Sequence, residues 1–228
     1  MARWPRIVIV LTVLALSGCT GGRPVGRPIA SAPPGSAPAG PGPTAGFELE
    51  QLQRALLTVD DLPPGWEEVR IQAEPNDDRV EVQGCPRFLW LYSLMEREVD
   101  ASFDHVPIAG NGPSLFEWLA WKGVTEADAL IDEVAAVVRD CPDTLVDAGF
   151  TRSVVTLGPL PFPALGDRTY ALRMTVAGDR RTELDQVFVR TGGVLVVVRY
   201  VVPNGEVDNA ETEEIAGRAL EKVRRTLR

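Results

Sequence analysis

Residues 182–202, TELDQVFVRTGGVLVVVRYVV, hold two strand-like runs on either side of Gly192-Gly193. A two-residue glycine link is a hairpin signal, because the tight turns that match strand twist need positive φ. Val194–Val202 is apolar on both faces except at Arg199. That pattern predicts a central strand covered on both sides, with Thr182–Thr191 as its partner. Just upstream, Arg168–Ala177 alternates with period two and puts Tyr170, Leu172, Met174 and Val176 on one side. Thr151–Leu157 reads as a further strand. Strands that follow one another with short turns predict an antiparallel sheet.

Helices bracket this block. Asp208–Leu227 carries an apolar stripe of Ile215, Ala219, Val223 and Leu227, with acids leading and bases trailing, as the helix dipole favours. Before the strands, Ala127, Leu130, Ile131, Val134 and Val138 fall on one helical face. Thr125 is the expected N-cap, Asp128 its capping-box acid, and Cys141-Pro142 the stop. Ala101–Val106 and Leu115–Lys122 read as two strands joined by Gly110-Asn111-Gly112-Pro113. Glu48–Thr58 reads as a helix with Leu49, Leu52 and Leu56 on one face, Trp66–Ile71 as a strand, Glu74–Gln83 as loop, and Phe88–Val99 as helix. The order predicts an α+β fold: an antiparallel β-sheet of about six strands packed against helices.

The amino terminus is of another kind. Arg3 and Arg6 precede a ten-residue apolar run, Ile7–Leu16, and then Ser17 and Gly18. This is the plan of a secretory signal peptide over residues 1–18. Ten helical residues rise only about 15 Å, half of a hydrocarbon core roughly 30 Å thick, so a spanning anchor is the weaker reading. Residues 14–22, LALSGCTGG, place Cys19 directly after the run. Leu16-Ser17-Gly18-Cys19 resembles a bacterial lipobox. That resemblance implies cleavage before Cys19 and a diacylglyceryl group on its thiol, with further acylation such as palmitate. The alternative is an ordinary cleaved signal with an incidental cysteine. Residues 19–46 are rich in Gly and Pro and carry no hydrophobic period, so they read as a disordered tether spanning roughly 30 Å as a coil. Residues 47–228 are then a single domain.

Without its first 18 residues the chain has 21 bases against 32 acids, a net charge of −11. Such acidity argues against a nucleic-acid partner. The membrane is expected as a partner through the lipid, on the extracytoplasmic face of the cell membrane. Two cysteines remain, Cys85 and Cys141, each followed by proline, and an even pair in an exported domain suggests a disulfide. Such a bridge would pin the helix ending at Cys141 to the sheet layer. A metal site made from two Cys and one His is the poorer use of them.

Residues 56–66 (LLTVDDLPPGW), the two Cys-Pro pairs, the helix before the second of them, and residues 165–173 (LGDRTYALR) followed by a hairpin complete a pattern. It resembles exported sensor-type domains of actinobacteria. These occur as free surface lipoproteins and as the extracellular domain of receptor Ser/Thr kinases of the mycobacterial PknH type. The resemblance implies an antiparallel sheet flanked by helices, with a cleft for an unidentified ligand. The kinase sensor domain carries two disulfides, whereas this domain has cysteines for one.

Signatures of catalysis are sparse. His105 is the only histidine, which excludes HExxH and any multi-histidine metal cage. A Ser-His-Asp triad would have to use His105, with Asp104 beside it and a serine such as Ser93 or Ser153. Strand neighbours point to opposite faces, so Asp104 could not orient His105. Asp128 and Asp132 read as the solvated face of a helix, and Asp60-Asp61 and Asp77-Asp78 as turn residues. No cofactor, metal or catalytic residue is assigned. Aromatic residues give the remaining hint. Phe116 and Trp118 share one strand face and Trp121 lies on the other. One set should be core. The other, beside Phe103 and His105, could line a groove for an apolar or sugar ligand. The expected function is therefore a non-catalytic, lipid-anchored, sensor-like domain that binds a small ligand or an envelope protein. A cell-envelope hydrolase and a structural accessory protein are the alternatives.

Overall fold

The computed structural model describes residues 47–69, 81–93, 99–105, 112–141, 143–147, 152–178 and 181–228. Cys19 and the expected signal and tether lie outside the described residues, as does most of the 74–83 loop. Thr44–Arg228 is one compact unit.

The elements run α1 (Leu49–Ala55), β1 (Trp66–Glu68), β2 (Glu81–Gln83), α2 (Arg87–Ser93), β3 (Val99–His105), β4 (Ser114–Trp121) and α3 (Val124–Asp140). They continue with β5 (Asp143–Asp147), β6 (Arg152–Pro159), β7 (Arg168–Ala177), β8 (Arg181–Thr191), β9 (Val194–Pro203) and α4 (Asn209–Thr226). Among the described residues, nine strands form one sheet in the order β1-β3-β4-β9-β8-β7-β6-β5-β2. Every pairing is antiparallel. The expected α+β class holds. The sheet is wider than about six strands because β2 and β5 are added at one edge. Both are short, three and five residues, too short for an alternating pattern to stand out.

The quoted hairpin organises the sheet. Thr191 pairs with Val194 across Gly192-Gly193, and Gly192 takes φ 56. Strands β8 and β9 lie at the centre, and both of their faces are covered. On one face Val187, Val189, Val196, Val198 and Tyr200 pack beneath α1 and α4 with Ile215, Ala219 and Val223. On the other, Leu184, Phe188, Leu195 and Val197 pack beneath α3 with Ile131, Val134 and Val138. Met174 and Leu172 join this second core, with Tyr170 and Val176 against its margin, which is the side that alternation assigned them. Burying one Leu- or Phe-sized side chain contributes about 1.5–3 kcal/mol before conformational entropy is counted, so the two cores together hold the layers.

Three local expectations are corrected. The N-cap of α3 is Gly123, not Thr125. The backbone N–H groups of Lys122 and Gly123 both donate to the carbonyl of Gly193, each at 3.0 Å. That tie to the hairpin turn starts the helix two residues early. Asp128 is not a capping acid; it accepts from Arg190 Nε at 2.7 Å. In α1, Leu49 is 61% exposed rather than buried, while Leu52 and Leu56 are buried as expected, with Ala55 beside them.

The cysteines pair: Cys85 and Cys141 form a disulfide with their Cα atoms 5.6 Å apart. Cys85 lies just ahead of α2 and Cys141 caps α3. Cys85 stands one residue from β2 and one from α2, so the bridge ties the end of α3 to the sheet edge, as expected, and also to α2. Arg87 of α2 supports the same joint by ion-pairing with Glu133 and with Asp140 of α3.

Candidate functional site

Strand alternation decides which aromatic residues are available. On β4, Leu115, Glu117 and Leu119 turn toward α1 and α4 and are buried. Phe116 and Trp118 turn to the opposite face and stay partly exposed. Their rings stack with centroids 5.8 Å apart and planes 12° from parallel. Phe116 pairs with Arg199 on β9, and Arg199 with Gln186 on β8. This cross-strand row puts the Arg199 guanidinium 5.3 Å from the Trp118 ring centroid. Gln186 is fully buried, and its Oε1 accepts from Arg199 Nε at 3.2 Å and from Nη2 at 3.0 Å.

The arrangement is preorganised. A buried amide fixes the guanidinium, and the guanidinium lies along an aromatic face. It offers a flat apolar surface next to a fixed cation. Chemically it can stack a planar or sugar-like ring.

The expected aromatic set is divided by the sheet. Phe103 is 1% exposed and belongs to the core under α1 and α4, opposite Leu115. It cannot line a groove with Phe116 and Trp118, because the sheet lies between them. His105 ends β3 with its backbone opposite Trp66; its side chain lies outside the described residues. Trp121 is on the face opposite Trp118, as alternation requires, and meets Phe47 edge-on. Arg199 and Gln186 were not among the expected site residues. A signal for Arg199 did exist: it is the single charge in an otherwise apolar central strand.

Glu117 is a second unusual group. It is fully buried, and its Oε2 accepts the backbone N–H of Leu57 at 2.6 Å, while Oε1 has no hydrogen-bond partner among the described residues. Burial pushes its carboxyl up to about 8, against smaller downward pulls from the Leu57 N–H and from Lys222. Lys222 itself ion-pairs with Asp61. Burial would raise Asp61, but its bonds to Lys222 and Thr58 outweigh that and hold it below the ordinary carboxylate range. Among the described residues no group of three or more His, Cys, Asp or Glu could hold a metal ion. No described helix is long and apolar enough to cross a membrane.

The chain matches no protein-family model and no curated protein by sequence. Its fold is similar to that of the extracellular domain of PknH from Mycobacterium tuberculosis, with 15% identity, a TM-score of 0.59, and coverage of 78% of this chain and 97% of that one. It is also similar to the Rv0999 ortholog from Mycobacterium smegmatis at 14% identity, covering 72% of this chain and 92% of that one, but the TM-score of 0.39 is too low to add weight. What is shared is the fold: an antiparallel sheet with helices on both faces, as the PknH-type resemblance implied.

Proposed function

We propose that this chain is an extracytoplasmic lipoprotein, anchored through Cys19, whose sensor-like domain binds a small ligand on the Phe116–Trp118–Arg199 platform without catalysing a reaction. The observation that carries the binding reading is the fixed guanidinium beside two stacked, partly exposed rings. Location outside the cell is supported by the sequence of residues 1–19 and by the fold likeness to an extracellular domain. The ligand class that fits is a small molecule with a planar or sugar-like body, which stacks on the two rings.

The test is a titration of the protein with a panel of sugars and small aromatic compounds, followed by the Trp118 indole N–H signal in NMR spectra. Saturable shifts are expected, and Trp118→Ala and Arg199→Ala should each remove them. His105→Ala should leave them intact. A panel that moves no signal near Trp118, or shifts that survive both substitutions, would refute the platform. Anchoring is tested apart from binding. Cys19→Ala should release the protein from the membrane, and retention of the variant would count against lipidation.

A further inference from the structure

A groove of about 370 Å³ opens at the end of the sheet that carries the β8–β9 turn. Phe47, Trp121, Val194, Val223 and Leu227 line it, together with the exposed Arg224. Phe47 meets Trp121 edge-on, with ring centroids 5.2 Å apart. Gly193 allows the close approach, since a Cβ there would stand 2.7 Å from the Trp121 ring. Around the groove Trp121 is 39% exposed and Val124, at the start of α3, is 50% exposed.

Two observations point to what covers this surface. Phe47 is a wall of the groove, and residues 19–46, which link it to Cys19, join the chain directly before it. The charge is also local. The whole chain carries −9, yet Lys222–Arg228 holds four bases and no acid; Lys222 and Arg225 lie against Asp61, and Arg224 lines the groove. Exposed indole and aliphatic groups next to guanidinium groups suit the boundary between acyl chains and phosphates in a bilayer. The acidic remainder of the domain would be repelled by an anionic surface, which turns the basic end toward it.

We infer that this end of the domain docks on an anionic phospholipid bilayer, with Trp121 and Val124 entering the headgroup region and Arg224 and Arg228 meeting phosphates. The inference rests on the anchored-protein reading for the direction in which residues 19–46 lead. Its experiment uses the chain from residue 19 onward with Cys19→Ser, so that no lipid can be attached. This protein is floated with vesicles of phosphatidylglycerol and phosphatidylethanolamine, and with vesicles of phosphatidylcholine alone. Binding to the anionic vesicles is expected, weakening at high salt and with phosphatidylcholine. Trp121→Ser and Arg224→Glu should each lower the partition coefficient about fivefold or more. Val154→Ser removes an apolar side chain that is 44% exposed on β6 and should leave binding unchanged. Thermal melts of all variants confirm folding. Absence of vesicle binding at millimolar lipid, binding of monomeric fatty acid in its place, or wild-type partition by both the Trp121 and Arg224 variants would each overturn the inference. The mass of Cys19 in the native protein decides the anchored reading separately. An unmodified Cys19 with vesicle binding intact would sink that reading and leave the docking surface standing. A diacylated Cys19 with no vesicle binding by the unlipidated chain would do the reverse.

Discussion

Glu117 of β4 accepts the backbone N–H of Leu57 at 2.6 Å, a bond between residues 60 apart in sequence. It fastens the segment after α1 to the buried face of the sheet. One carboxylate oxygen makes this bond and the other has no partner among the described residues. An ionised carboxylate in this place would be costly, so the folded protein favours the protonated form.

A pH dependence with a definite sign follows. The folded value is about 8 against an ordinary 4.5. Between these the folded state binds more protons than the unfolded state, so stability falls as pH rises through this window and levels off above it. The slope from this group is at most about 1.4 kcal/mol per pH unit. Glu117→Gln keeps an acceptor for Leu57 N–H and removes the titration. Urea unfolding at acidic, neutral and mildly basic pH should show wild type losing stability relative to Glu117→Gln as pH rises. Parallel curves for the two proteins would contradict the assignment. Asp61 acts in the opposite sense and in another window: its value is lowered, so its contribution disappears only when pH falls below the ordinary carboxylate range.

Glu117 also shows why part of the site could not be read from sequence. In residues 115–121 (LFEWLAW) alternation correctly divided Phe116 and Trp118 from Trp121. It also placed a glutamate on the inward face, and nothing local marks that glutamate as buried, because its partner is Leu57. The long periodic runs at 168–177, 182–202 and 208–227 were legible because their burial repeats within a single element. Phe103 was misplaced into a groove for the converse reason. Its strand periodicity was known, but which face α1 and α4 cover depends on the sheet order, a non-local fact. The pairing of Arg199 with Gln186 is likewise a matter of register between β8 and β9; composition cannot supply it.

The Cys85–Cys141 bridge closes a loop with a sequence separation of 56. Chain-entropy reasoning gives about 4 kcal/mol for a loop of that length, as an upper figure. The double substitution Cys85→Ala with Cys141→Ala should therefore lower unfolding stability by about 2–4 kcal/mol. The ion pairs of Arg87 with Glu133 and Asp140 are at the surface and would compensate little. The check is the denaturation midpoint of oxidised, reduced and double-alanine proteins. Coincident midpoints for all three would show that α2 and α3 do not depend on the bridge.

Arg173 and Asp185 face each other on β7 and β8 and form a two-pronged pair: Nε to Oδ1 at 2.7 Å and Nη2 to Oδ2 at 2.9 Å. Asp185 is fully buried and also accepts from Thr212 Oγ1 of α4 at 3.1 Å. Removing only the arginine leaves a buried carboxylate without its cation. Arg173→Met should cost about 3 kcal/mol. The double substitution Arg173→Met with Asp185→Leu should recover most of that loss, since an apolar pair requires no desolvation of charge. Chemical denaturation of the wild type, both single variants and the double variant completes the cycle. Strict additivity of the two single effects would refute the coupling.

Two glycines of the same fold should respond to alanine with opposite signs. Gly166, before β7, has φ 62, and a Cβ there would lie 2.5 Å from the carbonyl oxygen of Arg190, a backbone atom that cannot move aside. The neighbouring Asp167 N–H donates to that same carbonyl at 2.7 Å, so a shift would also break this bond. Gly166→Ala should destabilise the protein by about 2 kcal/mol. Gly217 lies inside α4, and a Cβ there would meet nothing among the described residues within 4 Å. Its alanine variant loses backbone freedom only in the unfolded chain and should stabilise by about 0.5–1 kcal/mol. Thermal melts of the two variants beside wild type read both effects. A melting temperature lowered by Gly217→Ala would contradict the open space at that position of α4.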